Sequence, residues 1–142
     1  MDGNRLMRTV FTNGCFDVLH IGHIRLLKAA KSYGDRLIVG INSDESVRRL
    51  KGSSRPINVQ AFRKEILEAF ECVDEVIIFD EDTPCELISK IKPDIHVKGG
   101  DYDPMDYNSM PEAKIVHEYG GEVKIFNTIE GFSSSNIIGK LK

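Results

Sequence analysis

The chain has 142 residues, 41% of them hydrophobic and 29% charged, with a formal net charge of −3 at pH 7. That length fits one domain spanning residues 1–142, and the composition excludes a disordered polypeptide. A slightly acidic chain has no broad electrostatic footprint for nucleic acid or an anionic membrane surface, so any polyanion must be gripped locally.

Short Val- and Ile-rich runs alternate with segments of helical period, the pattern of strand-helix repeats around a parallel sheet. The predicted fold class is α/β: a Rossmann-like, doubly wound, five-stranded parallel sheet with helices on both faces. A first strand at residues 8–12 leads to a helix at 22–32, where Ile24, Leu26, Leu27, Ala30 and Tyr33 form an apolar stripe with Lys28 and Lys31 turned away. Gly34-Asp35 stops it before a strand at 36–41. Ser43-Asp44-Glu45 supplies a cap and early acids for a helix at 43–50, and a further helix covers 59–70. A strand at 75–79 precedes a helix at 84–91 that Thr83-Pro84 opens. Residues 94–98 read as a strand, 102–109 as a loop, 110–119 as a helix, 122–126 as the last strand and 134–141 as a short final helix.

Cys15, Cys72 and Cys85 are odd in number and form no C-x-x-C pair, which suits a reducing compartment. After Arg5 and Arg8 the chain reaches Asn13-Gly14 too soon for a signal peptide, and no apolar run is long enough to span a bilayer. The expectation is a cytoplasmic protein.

In a doubly wound sheet, ligands collect beyond the carboxyl ends of the strands. Four polar or Gly-rich segments follow predicted strands, at residues 12–23, 40–51, 98–102 and 130–136, and should converge there. The first runs Thr12-Asn13-Gly14-Cys15-Phe16-Asp17-Val18-Leu19-His20-Ile21-Gly22-His23 and sets two imidazoles at a helix start. The first amides of a helix lack intrahelical partners and attract phosphate. Zinc is a poorer reading of His20 and His23, because the spacing is not i, i+4 and only His96 and His117 remain as further histidines. No metal ligands are assigned.

The motif TNGCFDVLHIGH resembles the signature of the cytidylyltransferase-like nucleotidyltransferase superfamily, in which HxGH holds nucleotide phosphates. NSD at 42–44, RLKG at 49–52, Arg55-Pro56, ECVDEV at 71–76, KGGDY at 98–102 and Glu130-Gly131 with Ser133 and Asn136-Ile137-Ile138 narrow it. In this order they are most similar to the adenylyltransferase domain of the bacterial bifunctional enzymes of ADP-heptose synthesis. The resemblance covers residues 9–141 and implies transfer of AMP from ATP to a sugar 1-phosphate of the heptose 1-phosphate class. ADP-sugar and pyrophosphate are the products.

The resemblance makes His20, His23 and Lys51 the catalytic group; otherwise Lys51 is part of a solvated basic cluster with Arg48 and Arg49. It assigns Thr12, Asn13, Gly14, Phe16, Asp17, Gly22, Arg63, Lys98, Gly100, Asp101, Ser133, Ser134 and Ser135 to nucleotide binding. Read from the residues alone, Asp17 equally well orients a turn, Arg63 is a surface helix charge, the paired glycines at 99–100 make a tight turn, and the serines cap a helix. Mg²⁺ is expected to ride on the triphosphate rather than in a protein cage. A homodimer is implied, with small molecules as the other partners.

Residues 103–112 depart from the family pattern, being longer and more aromatic with Tyr107 and Met110, so a different acceptor is foreseen if this loop shapes the sugar site. None of these 142 residues resembles the kinase domain commonly fused in that family, and the expectation is a separate transferase whose sugar 1-phosphate comes from another protein. Competing readings are a glycerol-3-phosphate-type cytidylyltransferase using CTP, and a nucleotide-binding protein without turnover. An FMN adenylyltransferase fits KGGDY less well, and a tyrosyl-like aminoacyl-tRNA synthetase would need a KMSKS-like run that this sequence lacks.

Overall fold

Five Val- and Ile-rich segments become β1 (Thr9–Gly14), β2 (Arg36–Asn42), β3 (Glu75–Phe79), β4 (Ile95–Gly99) and β5 (Glu122–Phe126) in a computed structural model that describes residues 7–100 and 102–127. Their order in space is β3-β2-β1-β4-β5 and every pair is parallel. The chain therefore winds outward from β1 through β2 and β3, then returns to the other side for β4 and β5. The reversal lies between β1 and β4.

Five helices join the strands: α1 (Ile21–Ser32), α2 (Asp44–Lys51), α3 (Gln60–Glu68), α4 (Cys85–Ile91) and α5 (Pro111–Glu118). Side chains alternate across the sheet with period 2, and each face meets its own helices. Val10, Leu37, Val39, Ile41, Val76, Ile95 and Val97 pack with Leu26, Leu27 and Ala30 of α1 and Leu67 of α3. Phe11 and Ile38 on the opposite face meet Ile88 of α4 and Val116 of α5. Helices on both faces and five parallel strands agree with the sequence reading; this is a Rossmann-like α/β sheet.

The element ends differ in an informative way. β1 extends past the predicted end at residue 12, because Asn13 and Gly14 still pair with Gly40 and Ile41 of β2. An Asn-Gly dipeptide that reads as a turn is thus overridden by the ladder of a neighbouring strand. Helix α3 covers less than residues 59–70, with Val59 as its N-cap and Ala69 as its C-cap, while Phe70 packs on the core from beyond the helix. The predicted final helix at 134–141 lies outside the described residues, as do Asp101, Ser133, Ser134 and Ser135.

Between α1 and β2 the chain passes against the start of β1. Arg8 and Asp35 lock the junction, Arg8 N–H donating to Asp35 Oδ2 at 2.8 Å and Asp35 N–H to the Arg8 carbonyl at 2.9 Å. A Cβ on Gly34 would lie 2.7 Å from Val10 Cγ2 and 2.9 Å from that same carbonyl, which the bond holds in place. Gly34→Ala is expected to destabilise the fold by about 1–3 kcal/mol through overpacking. Urea denaturation should show a lower midpoint with an unchanged slope.

Candidate active site

Helix α1 begins with an unusual cap. His20 is the N-cap residue, with extended backbone, and its Nδ1 accepts from Gly22 N–H at 3.0 Å. In return His23 Nδ1, in the first helical turn, accepts from His20 N–H at 3.2 Å. This is a capping box in which imidazoles replace the usual hydroxyl and carboxylate. A neutral ring whose Nδ1 accepts a hydrogen bond carries its proton on Nε2, so both rings are Nε2–H tautomers. Their centroids are 4.0 Å apart, and the Phe16 ring flanks His23 at 5.3 Å. Phe16 reaches that position with φ of +49°, a left-handed conformation that a bulky side chain rarely adopts.

The electrostatics keep both rings neutral near pH 7. Burial, reinforced by the His20 ring and by Lys51, brings His23 down to about 4, and burial also lowers His20. Cys15 beside them stays a thiol, since burial raises it more than Lys51, Arg63 and Arg55 lower it.

A cleft of about 520 Å³ opens beyond the carboxyl ends of β1, β2 and β4, at the reversal in strand order. Of the residues singled out from sequence, Asn13, Gly14, Phe16, Asp17, His20, His23, Lys51, Lys98 and Gly100 line it together. Thr12, Gly22 and Arg63 do not. Thr12 is buried beneath, its hydroxyl donating to the Val97 carbonyl at 2.8 Å, and Gly22 is a buried residue of the α1 cap.

Arg63 is a correction to the sequence reading. It is fully buried and fans out behind the cleft wall: Nε donates to the Asn58 carbonyl, Nη1 to those of Cys15 and Asn42, and Nη2 to Asp44 Oδ1, all within 2.9 Å. With these groups occupied, its guanidinium ties strand ends to α2 and α3 and does not border the cleft. Asp17 is committed in a similar way, although it lines the cleft. Its carboxylate accepts from Arg55 Nε and the amides of Ile57 and Asn58, each at 2.8 Å. Burial would raise it, but those two amides and the guanidinium outweigh burial and hold it below the usual carboxylate range. It pins the segment between α2 and α3 to the floor of the cleft.

Sequence reasoning missed Cys15, Arg55, Tyr102 and Glu112 among the lining residues. Glu112, at the start of α5, is almost wholly buried between His96 Nε2 at 3.4 Å and Lys98 Nζ at 3.3 Å. Although burial pushes it up, the His96 hydrogen bond and the Lys98 charge prevail and bring it down to about 2. The Lys98 ammonium also sits 4.9 Å from the centre of the Tyr102 ring. Tyr107 and Met110 do not shape the cleft: the Tyr107 hydroxyl pairs with His117 Nδ1 at 2.8 Å, and Met110 is fully buried. Among the described residues no group of three or more His, Cys, Asp or Glu side chains could hold a metal ion.

These shifts make stability pH-dependent in two successive windows that meet between about pH 4 and 4.5. The folded state resists protonating His23, so stability is full above the ordinary histidine value of 6.5 and declines as pH falls toward about 4. Glu112 stabilises the fold above the ordinary 4.5, and that contribution is lost as pH falls toward about 2. Chemical denaturation across this range is expected to show His23→Gln flattening the upper window and Glu112→Gln the lower one.

Comparison with known proteins agrees with this geometry. A family model described as cytidylyltransferase-like matches residues 11–140. The bifunctional protein HldE of Geobacter metallireducens is 52% identical over 134 residues, 94% of this chain and 27% of that protein. HldE of Koribacter versatilis is 53% identical over 133 residues, with coverages of 94% and 27%. This chain thus spans little more than a quarter of these relatives. Among solved structures, the lipopolysaccharide core biosynthesis protein from Thermoplasma volcanium superposes with a TM-score of 0.69 at 31% identity, over 87% of this chain and 98% of that one. The pantoate-beta-alanine ligase of Francisella tularensis shares the fold at a TM-score of 0.65 and 19% identity, over 98% of this chain and 68% of that one. Matched over most of its length by the family model and by a solved relative, the chain belongs to the cytidylyltransferase-like family.

Proposed function

We propose that this chain is an adenylyltransferase, transferring AMP from ATP to a sugar 1-phosphate of the heptose 1-phosphate class. The observation that carries the reading is the imidazole capping box: two neutral Nε2–H donors at an amide-rich helix start, with Lys51 close enough to act on His23. The resemblance of its motifs to the adenylyltransferase domain of ADP-heptose synthesis supports the sugar phosphate and the adenine nucleotide, alongside the 52% and 53% identity to bifunctional proteins HldE.

In this reaction a non-bridging oxygen of the sugar phosphate attacks the α-phosphorus of ATP. The new P–O bond forms as the bond to the β-phosphate bridging oxygen breaks, and that electron pair leaves on pyrophosphate. The nucleophile is already ionised, so no general base is required, and catalysis reduces to positioning and charge stabilisation. His20 and His23 donate to the α-phosphate and the bridging oxygen as charge builds there. Lys51, at the carboxyl end of α2, meets the polyphosphate as a point charge. Gly14 and Gly100 admit the nucleotide close to the backbone at the ends of β1 and β4, with Asn13, Phe16 and Lys98 around it. Asp101 and the serines at 133–135 complete nucleotide binding in this proposal.

Mg²⁺ enters as part of the nucleotide substrate. The three described cleft carboxylates each have a partner already: Asp17 is taken by Arg55 and amides, Asp82 by Arg49 Nε at 3.0 Å, and Glu112 by Lys98 and His96, which suits a metal that rides on the triphosphate. The proposal extends to a homodimer in the cytoplasm acting on small molecules, without nucleic acid or membrane; no described helix is long and apolar enough to cross a membrane.

A panel pairing ATP or CTP with heptose 1-phosphate, hexose 1-phosphates and glycerol 3-phosphate tests the reading by pyrophosphate release. ATP with heptose 1-phosphate is expected to turn over fastest. Preference for CTP and glycerol 3-phosphate would replace it with the cytidylyltransferase reading, and tight nucleotide binding with no release anywhere would make the chain a binder. In the active pair, His20→Ala and His23→Ala should each lower kcat by about 10²- to 10³-fold in a folded protein. A wild-type kcat in either variant would sink the mechanism.

A further inference from the structure

A buried polar side chain without a partner is rare in a folded protein and calls for an explanation. Among the described residues two buried side-chain atoms have none, Asn13 Oδ1 and Arg55 Nη2, and both residues line the cleft. One atom is an acceptor and the other a charged donor. Arg55 is held by one edge alone. Its Nε donates to Asp17 Oδ2 at 2.8 Å, in a pair whose side chains are 10% and 0% exposed. Asp17 cannot shift to satisfy Nη2 as well, because the amides of Ile57 and Asn58 fix both of its oxygens. Neutralising Asp17 therefore explains Nε and leaves Nη2 unexplained.

We propose that Arg55 is a phosphate-binding residue of this cleft: Asp17 positions the guanidinium through Nε, and Nη2 donates to a non-bridging phosphate oxygen of a bound substrate. A guanidinium is permanently charged, planar and weakly hydrated, which suits it to an anionic oxygen reached from a buried position. The surroundings match such a ligand. Arg55 lines the same cleft as Lys51 and the imidazoles of His20 and His23. This inference rests on the nucleotidyl-transfer reading for its substrates, which offer two sources of phosphate oxygen, the nucleoside triphosphate and the sugar phosphate.

Calorimetric titration of the whole chain with Mg-ATP, inorganic pyrophosphate and heptose 1-phosphate, each alone, separates the sources without requiring turnover. Arg55→Lys keeps a cation for Asp17 but removes Nη2, and Arg55→Gln removes the charge; thermal melting confirms that each is folded. Arg55→Lys is expected to weaken binding of one phosphate ligand roughly 10- to 100-fold, with a parallel rise in the KM of that substrate. Weaker binding of ATP and pyrophosphate places the contact on the leaving group, and weaker binding of the sugar phosphate alone places it on the acceptor. Folded variants that bind all three ligands like wild type would overturn the proposal, as would a wild-type protein that binds none of them. A wild-type protein that binds ATP but releases no pyrophosphate overturns the transfer reading only, and the same titrations then still decide Arg55.

Discussion

The chemistry of this cleft depends on two backbone amides at the start of α1. By donating to the Nδ1 atoms of His20 and His23, the amides of Gly22 and His20 fix which nitrogen of each ring carries the proton. The same bonds fix ring orientation and satisfy helix-terminal donors that otherwise need water or a side chain. Structural capping and the proposed phosphate contact therefore do not compete for these histidines. They use opposite sides of one ring, and the spacing of two residues between the imidazoles is the spacing a capping box requires.

Around that point the charged residues divide into those that build the walls and those that face the space between them. Arg63 and Asp17 look like substrate ligands in a one-dimensional reading. Their hydrogen bonds show instead that they join loop to strand end and helix to loop. Burying such charges is tolerable because nearly every polar atom finds a partner. Among the described residues the two buried side-chain polar atoms left without one belong to Asn13 and Arg55, both of which line the cleft.

The sheet was legible in the sequence because its signal is local: β-branched runs between helical periods need no knowledge of what they touch. The segment from Asn13 to His23 was legible for the same reason, since cap, glycine and imidazoles are contiguous. Long-range partners were not. Glu112 meets Lys98 and His96 across 14 and 16 residues, and Arg55 meets Asp17 across 38, separations at which periodicity carries no information. The end of β1 was placed two residues early because the apolar stretch stops at residue 12, and only pairing with β2 reveals Asn13 and Gly14 as strand. Arg63, a nucleotide ligand by the resemblance and a surface charge by its helix, is neither at the cleft nor at the surface, because the carbonyls converging on it come from residues 15, 42 and 58 and leave no local pattern.

The buried string from the Phe11 carbonyl through His96 and Glu112 to Lys98 has a consequence for how this protein can diverge. It nails the first turn of α5 to β4, while Met110 just before it is sunk in the interior. The surface excursion at residues 103–108 hangs between Tyr102 and these anchors, and none of its residues borders the cleft. The stretch at 103–112 thus meets the cleft only from its far end, through Ser109, Pro111 and Glu112, and a change within it reaches the cleft only by way of these positions.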